Sequence, residues 1–194
     1  MLSCVTVYCG SADGLHSEYY QAAYEMGQAL ATRGITLVYG AGKTGLMGAV
    51  ADGALAAGGE VVGVIPEGLN TPQLAHAGLT RLEVFATIHQ RKARMSELAE
   101  AFIALPGGYG TFDELFETLT WAQIGLHQKP IGLLNARGYY DPLLAMVDHA
   151  RSEGFIYAEH RALLCSSSQP EKLLSALEAF RLPDGLERWV NRPD

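Results

Sequence analysis

Between Ala101 and Glu117 the chain reads AFIALPGGYGTFDELFE, and no other stretch constrains the fold as strongly. Residues 101–105 form an apolar run of strand length that stops at a proline, which predicts a central strand of a parallel sheet. Residues 106–110 form a turn, and Thr111, standing just before a segment of 3.6-residue periodicity, is expected to cap a helix. Glycines in the turn permit positive φ and let a ligand approach the backbone. The helix start adds N–H groups without intrahelical acceptors and the positive end of the helix dipole. Such a junction suits an anion, a phosphate above all. Glu114 falls on the expected first turn, close to that anion. A carboxylate there costs affinity unless it acts on something held between the two. Acidic residues also occupy first turns simply to complement the dipole, and strand, glycine turn and helix make the ordinary joint of any doubly wound sheet.

The same alternation recurs along the chain. Strands are predicted at residues 4–8, 35–39, 60–65, 81–85, 129–134 and 163–166, and helices at 18–33, 46–57, 88–100, 140–153 and 169–180, with Gly34 as a C′ cap. Strands that alternate with helices build a parallel sheet, so the expected class is α/β: a doubly wound parallel sheet flanked by helices on both faces. Residues 66–80 carry little periodicity and are read as a loop that covers a site.

With 194 residues there is room for one domain with a sizeable core, taken as residues 1–180, followed by a tail, residues 181–194, without clear structure. The start MLSCVTVYCG lacks a basic segment ahead of a long hydrophobic one, and no apolar run is long enough to cross a bilayer, so no membrane partner is expected. Cys4, Cys9 and Cys165 have no metal-like spacing and read as reduced thiols, which points to a cytoplasmic protein. His76, His89, His127 and His149 form no local ligand pair, so no metal is expected. A formal charge of −7 argues against a nucleic-acid partner but is compatible with a small anion held by local donors.

Two other features compete for attention. Gly40-Ala41-Gly42-Lys43-Thr44-Gly45 matches the G-x-G-x-x-G dinucleotide fingerprint, with Glu67 at roughly the expected distance of about 20 residues. The fingerprint normally lies on the first βα unit, whereas here it lies on the second and Glu67 follows Pro66 in a loop, so an NAD(P)-dependent oxidoreductase is the weaker reading. A P-loop would need glycine where Leu37 stands. Arg91 and Lys92 open another helix. Adjacent cations usually form a solvated face, but helix starts that follow strand ends meet at the carboxyl edge of a parallel sheet, which could bring Arg91 to the edge that carries Glu114.

Taken in order, Gly10-Ser11, the run from Leu37 to Gly42 with Gly45-Leu46-Met47-Gly48, Gly63-Val64-Ile65-Pro66, His89-Gln90-Arg91-Lys92, and Pro106-Gly107-Gly108-Tyr109-Gly110-Thr111 with Glu114 resemble the LOG (LONELY GUY) family of cytokinin riboside 5′-monophosphate phosphoribohydrolases. Members of that family were often labelled lysine decarboxylases. No lysine here has a convincing pyridoxal phosphate setting. The resemblance covers about residues 2–180. It implies a Rossmann-like fold, a homodimer or larger assembly with sites near the subunit interface, no cofactor, and hydrolysis of the bond between an N6-modified adenine and ribose 5′-phosphate. By position it implies Arg91 and Glu114 as the catalytic pair. It implies Gly10, Ser11, Gly42, Gln73, Lys92, Gly107, Gly108, Tyr109, Gly110, Thr111 and Thr120 as the substrate-binding set. Gln73 stands where a glutamate is expected, and an amide donates as well as accepts, which bears on recognition of the N6 group. Ile88 replaces a common methionine, a nearly volume-neutral change. Related proteins with a similar glycine turn bind molybdenum cofactor without hydrolysing it, so a non-catalytic nucleotide or cofactor carrier is the rival. The joint presence of Arg91 and Glu114 favours the enzyme.

Overall fold

The structure is a computed structural model, and it describes residues 1–189. In chain order its elements are β1 (Cys4–Tyr8), α1 (Ser17–Thr32), β2 (Thr36–Tyr39), α2 (Gly45–Ala56), β3 (Val61–Pro66), β4 (Arg81–Phe85), α3 (Ile88–Leu98), β5 (Ala101–Ala104), α4 (Tyr109–Gln123), β6 (Ile131–Leu134), α5 (Asp141–Ser152), α6 (Ala158–Arg161), β7 (Leu164–Ser167) and α7 (Pro170–Ala179). Among the described residues the seven strands form one sheet, every pairing parallel, in the order β4-β3-β2-β1-β5-β6-β7. The expected doubly wound architecture is the one observed.

Side chains of successive strand residues point to opposite faces, and the two halves of the core follow that period. Val5 and Val7 of β1 pack on one face with Met26, Leu30, Val50 and Leu173 from α1, α2 and α7. Tyr8 packs on the other face with Met95, Leu115 and Tyr140. Strands β5 and β6 are buried throughout, as continuous apolar runs in a doubly covered sheet must be. Gly34 takes φ +70° behind α1, and its N–H returns to Ala31 O at 2.9 Å, the expected helix stop.

Strand order fixes where a ligand can bind. From β1 the chain winds outward through β2, β3 and β4, then returns to the other side of β1 as β5 and winds on through β6 and β7. The crevice beyond the carboxyl ends of β1 and β5 is therefore the topological switch point, where such sheets leave a gap between diverging connections. Among the described residues no helix is long and apolar enough to cross a membrane.

The tail departs from expectation. Residues 186–189 form a short 3₁₀ turn, Leu186 packs against the second core cluster, and its carbonyl lies 3.0 Å from His160 Nε2. An apolar residue within hydrogen-bonding reach of the core anchors a segment whose sequence alone shows no period. Residues 190–194 of the expected tail lie outside the described residues.

Candidate active site at the switch point

Strand β1 runs on into Cys9-Gly10-Ser11 and β5 into Leu105-Pro106-Gly107, and the two exits are tied by Gly10 N–H donating to Pro106 O at 3.0 Å. A cleft of about 700 Å³ opens there. A smaller hollow of about 280 Å³, lined in part by Leu2, Pro130 and Phe180, lies at the amino end of the sheet, away from any glycine turn or helix start.

The turn after β5 differs from its expected geometry in two ways. Gly108, not Thr111, is the residue before the helix, with φ −97° and ψ −152°, so α4 begins at Tyr109 and Glu114 sits in its second turn rather than its first. Thr111 is drawn inward instead. A side chain on Gly107 would collide with Thr111 Oγ1 and crowd Gly10 N, and glycine there is what lets the Thr111 side chain and the Gly10 backbone pack against the turn. None of Gly107, Gly108 and Gly110 has positive φ. Around Gly108 and Gly110 nothing lies within 4 Å of where a Cβ would stand, so their glycines leave open space on the cleft side of a helix start. The leading N–H groups of α4 lack intrahelical acceptors, and the dipole adds positive potential.

Arg91 enters from the opposite wall. Thr87 and Gln90 make a reciprocal capping box that fixes the start of α3 and places Arg91 on the turn that follows. Its Nε donates to Val64 O at 3.1 Å, and its Nη1 is in direct contact with Glu114 Oε1. Both side chains are nearly enclosed, 10% and 12% exposed. Gly40 makes room for the guanidinium, because a Cβ there would overlap it. Burial pushes the Glu114 carboxyl above the ordinary carboxylate range, and Arg91 beside it pulls the other way without cancelling the effect. Cys9, buried at the cleft floor, has its thiol pushed up first by burial and then by Glu114, so it carries no thiolate for nucleophilic chemistry.

Of the other expected residues, Gly10, Ser11, Gly42, Lys92, Gly107, Gly108, Tyr109, Gly110 and Thr111 line the same cleft. Tyr109 is 94% exposed and so does not serve core packing. Lys92 on α3 commits two of its three N–H donors to α4 across the gap, donating to Asp113 Oδ2 at 3.0 Å and Glu117 Oε1 at 3.1 Å. Two residues are not brought in. Thr120 lies more than two turns farther along α4, exposed, with its hydroxyl donating to Phe116 O at 2.7 Å. Gln73 is exposed on the loop between β3 and β4, which reaches the cleft through Leu69 and Leu74 instead.

The glycine fingerprint at residues 40–45 proves to be already occupied by protein. Asp13 Oδ1 accepts from Gly45 N at 3.0 Å, and Gly10 O accepts from Leu46 N at 2.9 Å and Met47 N at 3.2 Å. With its leading N–H groups satisfied and a carboxylate at its positive end, α2 offers no seat for a pyrophosphate. Lys43 serves the covering loop, its backbone N–H donating to Leu74 O at 2.9 Å and its Nζ to Pro72 O at 2.5 Å.

Tyr139 and Tyr19 also line the cleft, though sequence reasoning passed over both. The signal for Tyr139 is a Tyr-Tyr pair at the start of a predicted helix, which reads equally well as packing.

A family model described as possible lysine decarboxylase matches residues 47–177. The residues do not fit that description. An imine-forming lysine needs its ammonium pKa lowered, whereas at Lys92, the lysine in the cleft, burial lowers it but the bonds to Asp113 and Glu117 outweigh burial and raise it. Among solved structures, the molybdenum cofactor binding protein from Rippkaea orientalis superposes with a TM-score of 0.70 at 21% identity, covering 92% of this chain and 97% of that one. The Moco carrier protein from Chlamydomonas reinhardtii gives 0.68 at 20% identity over 92% and 97%. At that identity the likeness concerns the fold alone. Sequence relatives are far nearer. The chain is 50% identical over 182 residues to the cytokinin riboside 5′-monophosphate phosphoribohydrolase of Rhodococcoides fascians, covering 92% of this chain and 89% of that protein. It is 47% identical over 176 residues to the cytokinin riboside 5′-monophosphate phosphoribohydrolase LOG of Oryza sativa subsp. japonica, covering 91% and 73%. Half the residues shared along nearly the whole length decide what the family model's older description leaves open: the chain belongs to the LOG family of cytokinin riboside 5′-monophosphate phosphoribohydrolases.

Proposed function

We propose that this protein hydrolyses the N-glycosidic bond of adenosine 5′-monophosphates, N6-modified ones included, to release the free base and ribose 5-phosphate. The observation that carries the reading is the direct Arg91–Glu114 contact beside the open start of α4. Cleavage of an N-glycoside passes through a ribosyl cation-like state, so a carboxylate is needed at the sugar and help is needed for the departing adenine. Glu114 supplies the first and takes a proton from the water whose oxygen bonds to the sugar carbon as the C–N bond breaks, a task suited to a carboxyl that burial has made more basic. That proton is returned to the adenine, which leaves with the bonding pair. Arg91 acts by charge, orienting Glu114 and stabilising the departing side. The α4 start and its glycine turn grip the 5′-phosphate, and that remote binding holds the ribose in place. Gly10, Ser11, Gly42, Lys92 and Tyr109 complete the substrate-binding set.

Assembly as a homodimer or larger, and a cytoplasmic location, belong to the same proposal. Exposed apolar side chains, Ile88 at the cleft, Leu82 and Val84 on the edge strand β4 and Phe116 on α4, support a partner surface, and light scattering after size exclusion tests it. For the reaction, the purified protein is incubated with AMP and with N6-isopentenyladenosine monophosphate, with adenosine as control, and base and ribose 5-phosphate are followed by chromatography. Release of base from the monophosphates and not from adenosine is the expected result. Tight binding without release would favour a carrier instead.

A further inference from the structure

We infer that Tyr139 is a positioning residue that locks the phosphate turn: its hydroxyl holds the Gly107–Gly108 peptide in the orientation that presents the α4 start to a 5′-phosphate. The inference rests on the phosphoribohydrolase reading for its choice of ligand.

The turn between β5 and α4 is held by three successive carbonyls, each tied to a group outside it. Tyr140 Oη donates to Leu105 O at 2.6 Å, Gly10 N to Pro106 O at 3.0 Å, and Tyr139 Oη to Gly107 O at 2.5 Å. The last of these matters most. A trans peptide is planar, with C=O and N–H on opposite sides, so fixing the Gly107 carbonyl also fixes the direction of the Gly108 N–H. Glycine on both sides of that peptide removes the steric barrier that would otherwise resist its rotation. Without an outside tether the Gly108 N–H would sample several directions and a bound phosphate would have to order it.

The tether is itself rigid. The Tyr139 ring sits edge-on to Tyr140 with centroids 5.1 Å apart and edge-on to Tyr19 at 6.1 Å. The turn that carries it is closed by Asn135, whose Oδ1 accepts from Tyr140 N at 2.7 Å and whose Nδ2 donates to Asp141 Oδ1 at 2.7 Å. Tyr139 reaches Gly107 across 32 positions of sequence, and its ring lines the cleft.

The test compares Tyr139→Phe with Tyr140→Phe, which removes a hydroxyl bond from the neighbouring Leu105 carbonyl, deeper in the core. Loss of one such bond predicts a rise in KM for AMP of roughly 3- to 10-fold in Tyr139→Phe, with kcat within about 3-fold of the unmodified protein. Inhibition by ribose 5-phosphate should weaken by the same factor. Tyr140→Phe should lower the melting temperature while keeping the KM for AMP. An unchanged KM in Tyr139→Phe, or equal rises in both variants, overturns the inference. If the unmodified protein releases no base from AMP, the hydrolase reading has failed by itself. The inference is then decided by titration calorimetry with ribose 5-phosphate, where equal affinity in the unmodified protein and Tyr139→Phe, or binding to neither, would sink it.

Discussion

Arg91 on α3 and Glu114 on α4 stand 23 residues apart in sequence and touch in space, each about nine-tenths enclosed. Neither charge would be tolerable there without the other, since an isolated ion in such surroundings costs several kcal/mol. Their contact is also unequal. Burial outweighs Arg91 in setting the Glu114 carboxyl, so the pair holds a base stronger than an ordinary glutamate.

Glu114→Gln keeps the shape and removes the charge. Because the folded carboxyl lies above its unfolded value, Glu114 favours the fold at low pH, and that contribution is lost as pH rises through the folded value. At neutral pH the unmodified protein therefore carries a cost that the amide does not. That relief is outweighed by the buried Arg91 charge the amide leaves unpaired, so the variant should melt lower, at a cost of up to about 3–5 kcal/mol, while losing on the order of 10²- to 10⁴-fold in turnover. Turnover within a few-fold of normal would remove Glu114 from the mechanism.

A pH–rate profile gives a second check. With Glu114 as the proposed base, the ionised carboxylate is the working form, so the acid limb of kcat/KM should lie above the ordinary glutamate value of about 4.3. Arg91 is what draws that value down, so in Arg91→Ala the limb of the residual activity should move to higher pH. The same substitution breaks a buried pair and should cost about 3–5 kcal/mol of stability in denaturant unfolding. A limb that stays put in Arg91→Ala would show that the two residues are not coupled in the working enzyme.

Gly40→Ala aims at Arg91 without touching its charge. The added methyl would overlap the guanidinium and come within 2.5 Å of Met47 Cε; Met47 can yield, but Arg91 is held by Val64 O and Glu114. A misplacement of about 1 Å at a reacting group can cost about 10²-fold, so kcat should fall by at least 10-fold. Thermal melting should show only an overpacking loss of about 1–3 kcal/mol. Normal kcat in a folded Gly40→Ala protein would mean that the guanidinium position is not critical.

Gly108→Ala and Gly110→Ala address the turn. Neither glycine has positive φ and both face open space, so the fold should accept a methyl with little change in melting temperature. A phosphate packed against that backbone would not. KM for AMP should rise about 10-fold, the equivalent of one lost charge-assisted hydrogen bond. Equal KM values in both variants and the unmodified protein would show that the ligand does not approach the turn.

Much of the fold could be read from the chain in advance. Strand period, helix stops such as Gly34 and the alternation of strand with helix depend on neighbours within a few residues, and these patterns survived into the structure. The capping residue of α4 did not. Thr111 has the right chemistry for a cap, but its hydroxyl packs under Gly107, and Gly108 takes the capping position with extended backbone. Local preference for threonine lost to the closer packing that a glycine permits. The dinucleotide fingerprint misled for a related reason: its spacing is local, while the groups that fill it, Asp13 and the Gly10 carbonyl, come from the preceding strand exit.

By itself, then, the sequence determined the α/β class, the family, and the short motifs that deliver Arg91 and Glu114, because each is written in nearby residues. Only the tertiary structure decided that the two side chains meet, that Gln73 and Thr120 stay outside the cleft, that Tyr139 ties down Gly107, and that the Glu114 carboxyl is raised. Contact across tens of residues and exclusion of water are properties of the packed chain, and no local pattern encodes them.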